Sequence, residues 1–337
     1  MRATAIGRYS LERVFADVHI ALPGDINATI VRLPFESRGL IPRLRNLAFT
    51  ARLRADVVHV GGDVHYCVLA IRRTRSVLTV PDLVTLHRLQ GIRRRALFLL
   101  WYRLPTWWAA RVTTISQATK NELVQVLPAR AAKTSVVPCP VGNAFLNAQR
   151  TPQQRELPQI LQVGTGANKN LERVISAIAS LPVHLRIVGS LSDKQRLLLD
   201  GTSLSYSAVE NLCEEGLVRE YTESDVLSFM STYEGFGLPI IEAQAVGLPV
   251  ITSNVSSMPE VAGEGALLVD PLDTGAIRDA VALLIKSPDL AQSLVARGHQ
   301  NVTRFLPGAI AEMYADIYRG MGQPGAYRRR SWMRRDG

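Results

Sequence analysis

Two carboxylates flank a glycine turn in residues 231–242, which read Ser-Thr-Tyr-Glu-Gly-Phe-Gly-Leu-Pro-Ile-Ile-Glu. Glu234 lies in the turn and Glu242 lies about one turn into the helix that follows, so both can face one ligand. Carboxylate oxygens only accept hydrogen bonds, which suits the vicinal hydroxyls of a sugar and of a ribose. The pair therefore predicts contacts to such diols. The alternative is an ordinary strand-to-helix turn with solvated glutamates.

The elements that must position these carboxylates are predicted from the hydrophobic pattern. Residues 225–230 form a short apolar run typical of a strand, and residues 239–246 have helical periodicity and end at Gly247. Gly235 and Gly237 let the backbone come close to a ligand. The helix opens with a proline, which needs no N–H partner there, and its amino terminus favours an anionic or hydroxyl-rich ligand.

The flanking segments extend the same pattern. Downstream, residues 247–254 predict a buried strand, and Ser257 and Glu260 have capping-box spacing for the next helix. Upstream, residues 159–170 predict a strand, a glycine loop and a helix start, and residues 171–178 continue with helical periodicity. Such a loop can cradle phosphate.

These segments resemble family 4 of the retaining glycosyltransferases of the GT-B fold, which has E-G-F-G-L-P-x-x-E-A, then G-x-P-V and a Ser-x-Pro-Glu turn. The resemblance covers roughly residues 56–320. It implies an α/β fold class, GT-B, with two Rossmann-like parallel-sheet domains facing a central cleft. It also implies transfer of a sugar from a nucleotide-sugar donor with retention of the anomeric configuration.

The resemblance implies roles for individual residues. A lysine of the family's first loop binds the donor pyrophosphate, and the matching residue is Lys169. Glu234 would hold the donor sugar and Glu242 the ribose, so Lys169 and Glu234 are the implied catalytic residues. The implied donor-binding residues are Gly164, Thr165, Asn170, Gly189, Gly235, Phe236, Gly237, Leu238 and Glu242.

Some positions depart from the family pattern or match it weakly. Many members carry an arginine where this chain has Thr165, so one pyrophosphate cation is missing. Residues 185–190 resemble a strand that ends in a base-side glycine turn, and residues 211–218 resemble the following loop. Residues 1–7 leave little room for the usual first strand and glycine loop, which predicts a shortened start.

The acceptor side matches less closely. Where the family commonly has His-Asp after a strand, this chain has Pro81 and Asp82. Asp82, His87 and His65 are the acceptor-side candidates, although a lone histidine is more often structural or on the surface. Ser116 is predicted to cap the helix of a strand-to-helix turn that resembles the family's.

Composition and cysteine usage limit the class of protein. The 337 residues suffice for two domains, and 47% hydrophobic with 20% charged residues is ordinary globular composition. Cys67, Cys139 and Cys213 fit neither a disulfide framework nor metal-ligand spacing, so a reducing cytoplasm is expected. No run approaches the roughly 20 apolar residues of a spanning helix, and residues 1–20 lack the apolar core of a secretory signal.

Charge is divided unevenly along the chain. Residues 1–150 hold 22 Lys and Arg against 8 Asp and Glu, whereas residues 151–320 hold 12 against 20. Residues 91–108 combine arginines with leucine and tryptophan, which suits an amphipathic helix on an anionic membrane surface. A core helix is the alternative. No recognised nucleic-acid-binding motif is present, so nucleic acid is not the expected partner.

The predicted domain organisation follows from alternating strand-like and helical stretches and from the breaks between them. The predictions are an acceptor-side domain at 1–148, a linker at 149–158, a donor domain at 159–306, a helix at 307–322 that packs back on the first domain, and a basic tail at 323–337.

The predicted reaction needs neither a metal nor a cofactor besides a UDP- or GDP-linked sugar. No Asp-x-Asp occurs in the chain, and Lys169 with helix amino termini can stabilise a departing nucleoside diphosphate. The expected acceptor is a saccharide, free or on a polyprenyl diphosphate at the cytoplasmic membrane face. A covalent intermediate and front-face attack both remain open. The alternatives are a non-catalytic sugar-nucleotide-binding subunit and an epimerase of the same fold.

Overall fold

A computed structural model describes residues 10–151 and 153–322. The predicted basic tail and the short segment before residue 10 lie outside the described residues.

The described chain alternates helices and strands. In chain order the helices are α1 (Ser10–Ala21), α2 (Leu40–Ala51), α3 (Val84–Arg88), α4 (Gly91–Leu97), α5 (Leu104–Trp108), α6 (Gln117–Val126), α7 (Asn143–Leu146), α8 (Leu171–Ile178), α9 (Asp193–Asp200), α10 (Glu214–Thr222), α11 (Leu238–Val246), α12 (Met258–Ala262), α13 (Thr274–Lys286), α14 (Pro288–Val302) and α15 (Pro307–Gly322). The strands are β1 (Val58–Val60), β2 (Ser76–Val80), β3 (Arg111–Thr114), β4 (Thr134–Val136), β5 (Gln159–Val163), β6 (His184–Val188), β7 (Ser205–Val209), β8 (Val226–Phe229), β9 (Val250–Ser253) and β10 (Leu267–Val269). A π-helical segment, Phe98–Arg103, joins α4 to α5. Short 3-10 helices include Arg73–Arg75, Pro128–Lys133 and Ala167–Lys169.

The chain divides into two compact units. Of the described residues, unit 1 contains 10–115, 119–138 and 308–322, and unit 2 contains 116–118 and 139–307. The division after Pro138 lies upstream of the predicted linker because α7 packs on α10 and α11. Phe145 of α7 is fully buried, with its ring 5.2 Å from that of Tyr221.

Unit 1 is built on a parallel sheet. Within the described residues it has four strands in the order β1-β2-β3-β4. Every residue of β2 is buried, as expected for a central strand covered on both faces. The long helix α15 belongs to this unit, where Ile310 and Tyr314 pack with Val18 of α1.

Unit 2 contains a six-stranded parallel sheet among the described residues, in the order β10-β9-β8-β5-β6-β7. The chain proceeds outward from β5 through β6 and β7, then returns to β8 on the other side of β5. The order therefore reverses between β5 and β8, and open α/β sheets bind ligands at the carboxyl ends of strands at such a point. The loops after β5 and β8 are the two predicted glycine loops.

Two local predictions in unit 2 are wrong. Ser257 occupies the N-cap position of α12, but the predicted side-chain capping bond is missing, because its hydroxyl instead donates to the carbonyl oxygens of Glu234 and Phe236, at 3.0 and 2.6 Å. The loop predicted at 211–218 is replaced from Glu214 onward by α10, whose first turn carries acidic residues suited to a helix amino terminus.

Candidate active site

Lys169 and Glu234 come together at the point where the strand order of unit 2 reverses. Lys169 ends the 3-10 helix after β5, and its Nζ lies 2.7 Å from Oε1 of Glu234, in the loop after β8. Asn168 Nδ2 donates to the same carboxylate oxygen at 3.1 Å and to the Tyr233 carbonyl at 3.2 Å. Two charges that sequence analysis assigned to one ligand thus form an ion pair.

The ion pair is partly shielded from water. The exposed fractions are 21% for the Lys169 side chain and 16% for that of Glu234. Lys169 Nζ also lies 4.6 Å from the ring centroid of Phe229, which adds a cation–π contact. Gly164 has φ 88°, and a Cβ there would lie 3.0 Å from Lys169 Cε. The missing side chain at Gly164 therefore leaves room for the lysine.

Thr165 ties the first glycine loop to the turn after β6. Its hydroxyl donates to the Ser190 carbonyl at 2.5 Å, and Gln195 Nε2 donates to the Thr165 carbonyl at 2.9 Å. Gly189 has φ 143°, and a Cβ there would come within 3.0 Å of Thr165 Cγ2. Thr165 and Gly189, both predicted donor-side residues, are therefore neighbours. At the position where many family members carry an arginine, Thr165 supplies hydrogen bonds between loops and no positive charge.

Asn170 anchors the start of α8. It has a left-handed backbone, φ 60°, and is 4% exposed. Its Nδ2 donates to the Pro271 carbonyl at 2.6 Å, and its Oδ1 accepts from Arg173 Nη1 at 2.9 Å. The side chain that was predicted to contact the donor thus holds a neighbouring loop.

Serines that sequence analysis did not assign to the site hold the turn after β8. Ser256 Oγ donates to the Glu234 carbonyl at 2.7 Å and accepts from the Glu234 amide at 3.2 Å. Together with Ser257 it fixes the backbone that carries Gly235, Phe236 and Gly237. The Ser-x-Pro-Glu turn contains Ser257 but not Ser256, and it was interpreted as a family motif and a helix cap, not as a support for this turn.

The amino terminus of α11 follows this turn. Gly237 precedes the helix with φ 112°, a conformation that favours glycine, and Leu238 is the first helical residue. No acidic residue lies in the first turn. The start of α11 therefore presents backbone N–H groups and a positive dipole end.

Glu242 is a buried carboxylate in α11. It is 4% exposed, and its Oε2 accepts a hydrogen bond from the Tyr221 hydroxyl at 2.8 Å. Tyr221 is fully buried in α10, against Phe145. Tyr221 was not predicted as a site residue, because the residues before it were predicted to form a loop. A charge this deep needs its partners, since an unpaired buried carboxylate is costly.

The acceptor-side candidates lie in unit 1 in different environments. Asp82 Oδ1 accepts from the Val84 amide at 3.0 Å. His87 Nε2 lies 2.5 Å from Glu122 Oε1, on an exposed surface. His65 is 1% exposed, its Nδ1 lies 2.9 Å from the Trp101 carbonyl, and burial lowers its pKa.

A pocket of about 410 Å³ opens beside His87. Leu86, His87, Leu89, Gln90, Gly91 and Arg94 line it.

In the part of the chain that the structure describes, no group of three or more His, Cys, Asp or Glu side chains could hold a metal ion. None of the described helices has the length and apolarity needed to cross a bilayer.

Two parallel-sheet units with a glycine-loop site at a reversal of strand order define the GT-B glycosyltransferase fold. Family models agree, since the one described as Glycosyl transferases group 1 matches residues 146–301 and the one described as Glycosyltransferase Family 4 matches residues 10–143. The chain therefore belongs to the family 4 type of GT-B glycosyltransferases.

Curated relatives are similar over part of their length. O-antigen chain mannosyltransferase B of Escherichia coli is 27% identical over 223 residues, which cover 58% of this chain and 57% of the relative. The MMP alpha-(1->4)-mannosyltransferase of Mycolicibacterium hassiacum is 26% identical, with 52% and 45% covered. The chain spans about half the length of these relatives.

Solved structures share the fold over most of the chain. Anabaena HepE in complex with UDP and glucose has a TM-score of 0.72 at 14% identity, and 94% of this chain and 97% of that one are covered. Sucrose-phosphate synthase from Thermosynechococcus elongatus has a TM-score of 0.71 at 21% identity, with 89% and 87% covered.

Proposed function

We propose that the protein transfers a hexose from a nucleotide sugar to a saccharide acceptor, free or lipid-linked. Family membership supports the reaction class. The names of the two curated relatives described above make mannose the first sugar to test. The UDP and glucose in the HepE complex make a nucleoside diphosphate the natural leaving group to test.

The ion pair between Lys169 and Glu234 is the observation that carries the proposal. It brings a cation suited to a diphosphate and an acceptor suited to sugar hydroxyls within 2.7 Å of each other. Glu234 lies in the loop that leads into the amino terminus of α11, where negative charge is stabilised. Glu242, further along α11, is the proposed ribose contact.

We extend the proposal to metal independence and to retention of the anomeric configuration. Lys169 and the start of α11 supply preorganised positive potential for a departing nucleoside diphosphate. The absence of Asp-x-Asp from the sequence supports the same view. Retention rests on the resemblance to a retaining family.

The acceptor side is proposed to lie in unit 1, with His87 and its pocket as the first residues to test. A polyprenyl-diphosphate-linked saccharide would bring the enzyme to the cytoplasmic face of the cell membrane as a peripheral protein. The basic first half of the chain supports an anionic surface as the partner, because residues 1–150 contain 22 Lys and Arg but only 8 Asp and Glu.

Calorimetry with UDP, GDP, UDP-glucose and GDP-mannose, each with and without chelator, tests the proposed metal-independent binding of a nucleotide-sugar donor. We expect one nucleotide to bind equally in both conditions and its sugar conjugate to be consumed only with acceptor. Isomerised donor without acceptor would establish the epimerase alternative instead. Binding without transfer to any acceptor tried would favour the non-catalytic subunit. NMR of the product's anomeric proton tests retention.

A further inference from the structure

Five basic residues of unit 1 gather at the amino ends of neighbouring strands. They form the basic edge cluster: Arg73, Arg103, Arg111, Arg130 and Lys133. Arg73 lies in the 3-10 helix before β2, and Arg111 begins β3. Arg130 and Lys133 lie in the 3-10 helix before β4. Arg103 ends the π-helical segment and is close enough to Arg130 to repel it. Because these strands are parallel and adjacent, their amino ends share one edge of the sheet.

Trp107 lies among these cations. Its side chain is 46% exposed, and the Arg73 guanidinium carbon is 5.5 Å from its ring centroid. Lys133 Nζ donates to the backbone carbonyls of Trp107 and Ala109, at 3.1 and 2.5 Å. The Trp107 ring therefore lies beside Arg73, and Lys133 holds its backbone.

The charge of the cluster is not neutralised within the described chain. None of its five residues forms an ion pair with a carboxylate in residues 10–151 or 153–322. The buried Nε of Arg130 has no hydrogen-bond partner there. Burial, followed by repulsion from Arg130, Arg73 and Arg111, lowers the pKa of Lys133 to about 8. An external anion would relieve this repulsion.

Apolar side chains continue the surface along the helical segment before β3. Leu99 and Leu100 are 41% and 47% exposed. Exposed leucine and tryptophan beside arginine suit the boundary between headgroups and acyl chains, where the ring can insert while guanidinium groups contact phosphates.

We propose that the basic edge cluster, with Trp107, Leu99 and Leu100, docks unit 1 on an anionic phospholipid bilayer. This inference rests on the membrane part of the proposed function and assigns it a surface. The surface lies at the amino edge of the sheet, whereas ligand sites of open α/β sheets lie beyond the carboxyl ends of the strands. Docking there would leave the opposite edge of unit 1 open for the saccharide end of an acceptor that is free or extends from its lipid anchor.

Vesicle flotation without donor or acceptor tests the docking surface. The probes are phosphatidylcholine vesicles with and without phosphatidylglycerol, at low salt. We expect binding only to the anionic vesicles, and on the order of thirtyfold weaker partitioning for Arg73→Gln/Arg103→Gln, because each basic residue contributes about 1 kcal/mol near a charged bilayer. Trp107→Ser should weaken binding with less effect on its salt dependence, since the ring contributes apolar contact.

A matched control removes the same charge elsewhere. Lys194→Gln/Arg196→Gln changes two exposed residues of α9 in unit 2 and should bind vesicles as the wild type does. Equal weakening by both pairs, or binding to neutral vesicles, would overturn the assigned surface. So would single-stranded RNA binding that exceeds vesicle binding and is lost in the cluster variant.

Nucleotide binding and sugar transfer can be measured without vesicles, so the docking surface and the proposed transfer can fail independently. The cluster variant should keep wild-type nucleotide affinity and thermal midpoint, because its substitutions are exposed and lie in unit 1. Vesicle binding by a protein that fails to transfer sugar would refute the transfer proposal alone. Transfer to a soluble acceptor by a protein that does not bind vesicles would refute the docking surface alone.

Discussion

Lys169 Nζ and Glu234 Oε1 lie 2.7 Å apart, although 65 positions of sequence separate the two residues. The contact joins the loop after β5 to the loop after β8. A diphosphate that bound Lys169 would compete with this carboxylate, and Glu234 would accept hydrogen bonds from sugar hydroxyls best once the lysine had turned to the phosphate. Donor binding would then rearrange the pair, so that each charge exchanges its protein partner for a part of the ligand.

Replacing Glu234 by glutamine should separate phosphate binding from sugar transfer. Glu234→Gln removes both the competition for Lys169 and the repulsion of a diphosphate. We expect the nucleoside diphosphate to bind as tightly as to the wild type or severalfold tighter. The nucleotide sugar should no longer bind more tightly than the free diphosphate, and the rate of sugar transfer should fall by at least about 100-fold. Calorimetry with both ligands and a turnover assay measure this. Weaker binding of the free diphosphate would contradict the competition.

Replacing Lys169 by methionine should weaken the binding of a nucleoside diphosphate more than that of a nucleoside monophosphate. Lys169→Met keeps much of the aliphatic chain that packs over Gly164 but removes the ammonium group. We expect nucleoside diphosphate affinity to fall roughly 10- to 100-fold, since a hydrogen bond to a charged group contributes about 1.5–3 kcal/mol. The affinity for the nucleoside monophosphate should fall much less. Calorimetry with both nucleotides tests this, and an equal loss for the two would indicate a distorted loop rather than a missing charge.

The Tyr221 hydroxyl should stabilise the Glu242 carboxylate in the fold. Tyr221→Phe leaves the ring on Phe145 but removes a 2.8 Å hydrogen bond to a buried charge. We expect the free energy of unfolding to fall by about 1–3 kcal/mol. Chemical denaturation measures the loss. In the Glu242→Gln background the same change should cost clearly less, and equal costs in both backgrounds would show that the two groups do not interact energetically.

Much of the fold follows from local sequence pattern. The central strands β2, β8 and β9 are largely apolar and every residue in them is buried, as expected for parallel strands covered on both faces. The edge strand β7 has no buried residue and no such pattern. Helix α10 was missed in part because residues 211–218 were assigned to a loop by resemblance to the family. There, acidic residues in the first turn and packing of the buried Tyr221 stabilise a helix that the pattern did not indicate.

The site is less accessible to sequence analysis where it depends on tertiary contacts. The motif identified Lys169 and Glu234, but their ion pair requires β5 and β8 to be adjacent, which is a property of strand order. Ser257 has the spacing of a cap, yet its hydroxyl binds carbonyl groups of the turn after β8. The basic edge cluster likewise exists only because three parallel strands begin at one edge.

The buried imidazole of His59 should make the stability of unit 1 depend on pH. Its Nδ1 lies 2.8 Å from the Tyr318 hydroxyl of α15, its Nε2 lies 2.7 Å from Thr79 Oγ1, and burial lowers its pKa to about 3. An unfolded histidine takes up a proton below about pH 6.5, whereas native His59 stays neutral until about pH 3. The stability that the neutral, buried His59 contributes is therefore fully present above pH 6.5 and is lost as the pH falls from 6.5 towards 3.

His59→Gln should reduce the difference in unfolding free energy between pH 7.5 and pH 5. Tryptophan fluorescence measures this difference for unit 1, because the described tryptophans all lie there. Tyr318→Phe, which keeps the buried imidazole, should lower stability at both pH values and preserve the slope; a slope unchanged by His59→Gln would assign the pH dependence to other groups.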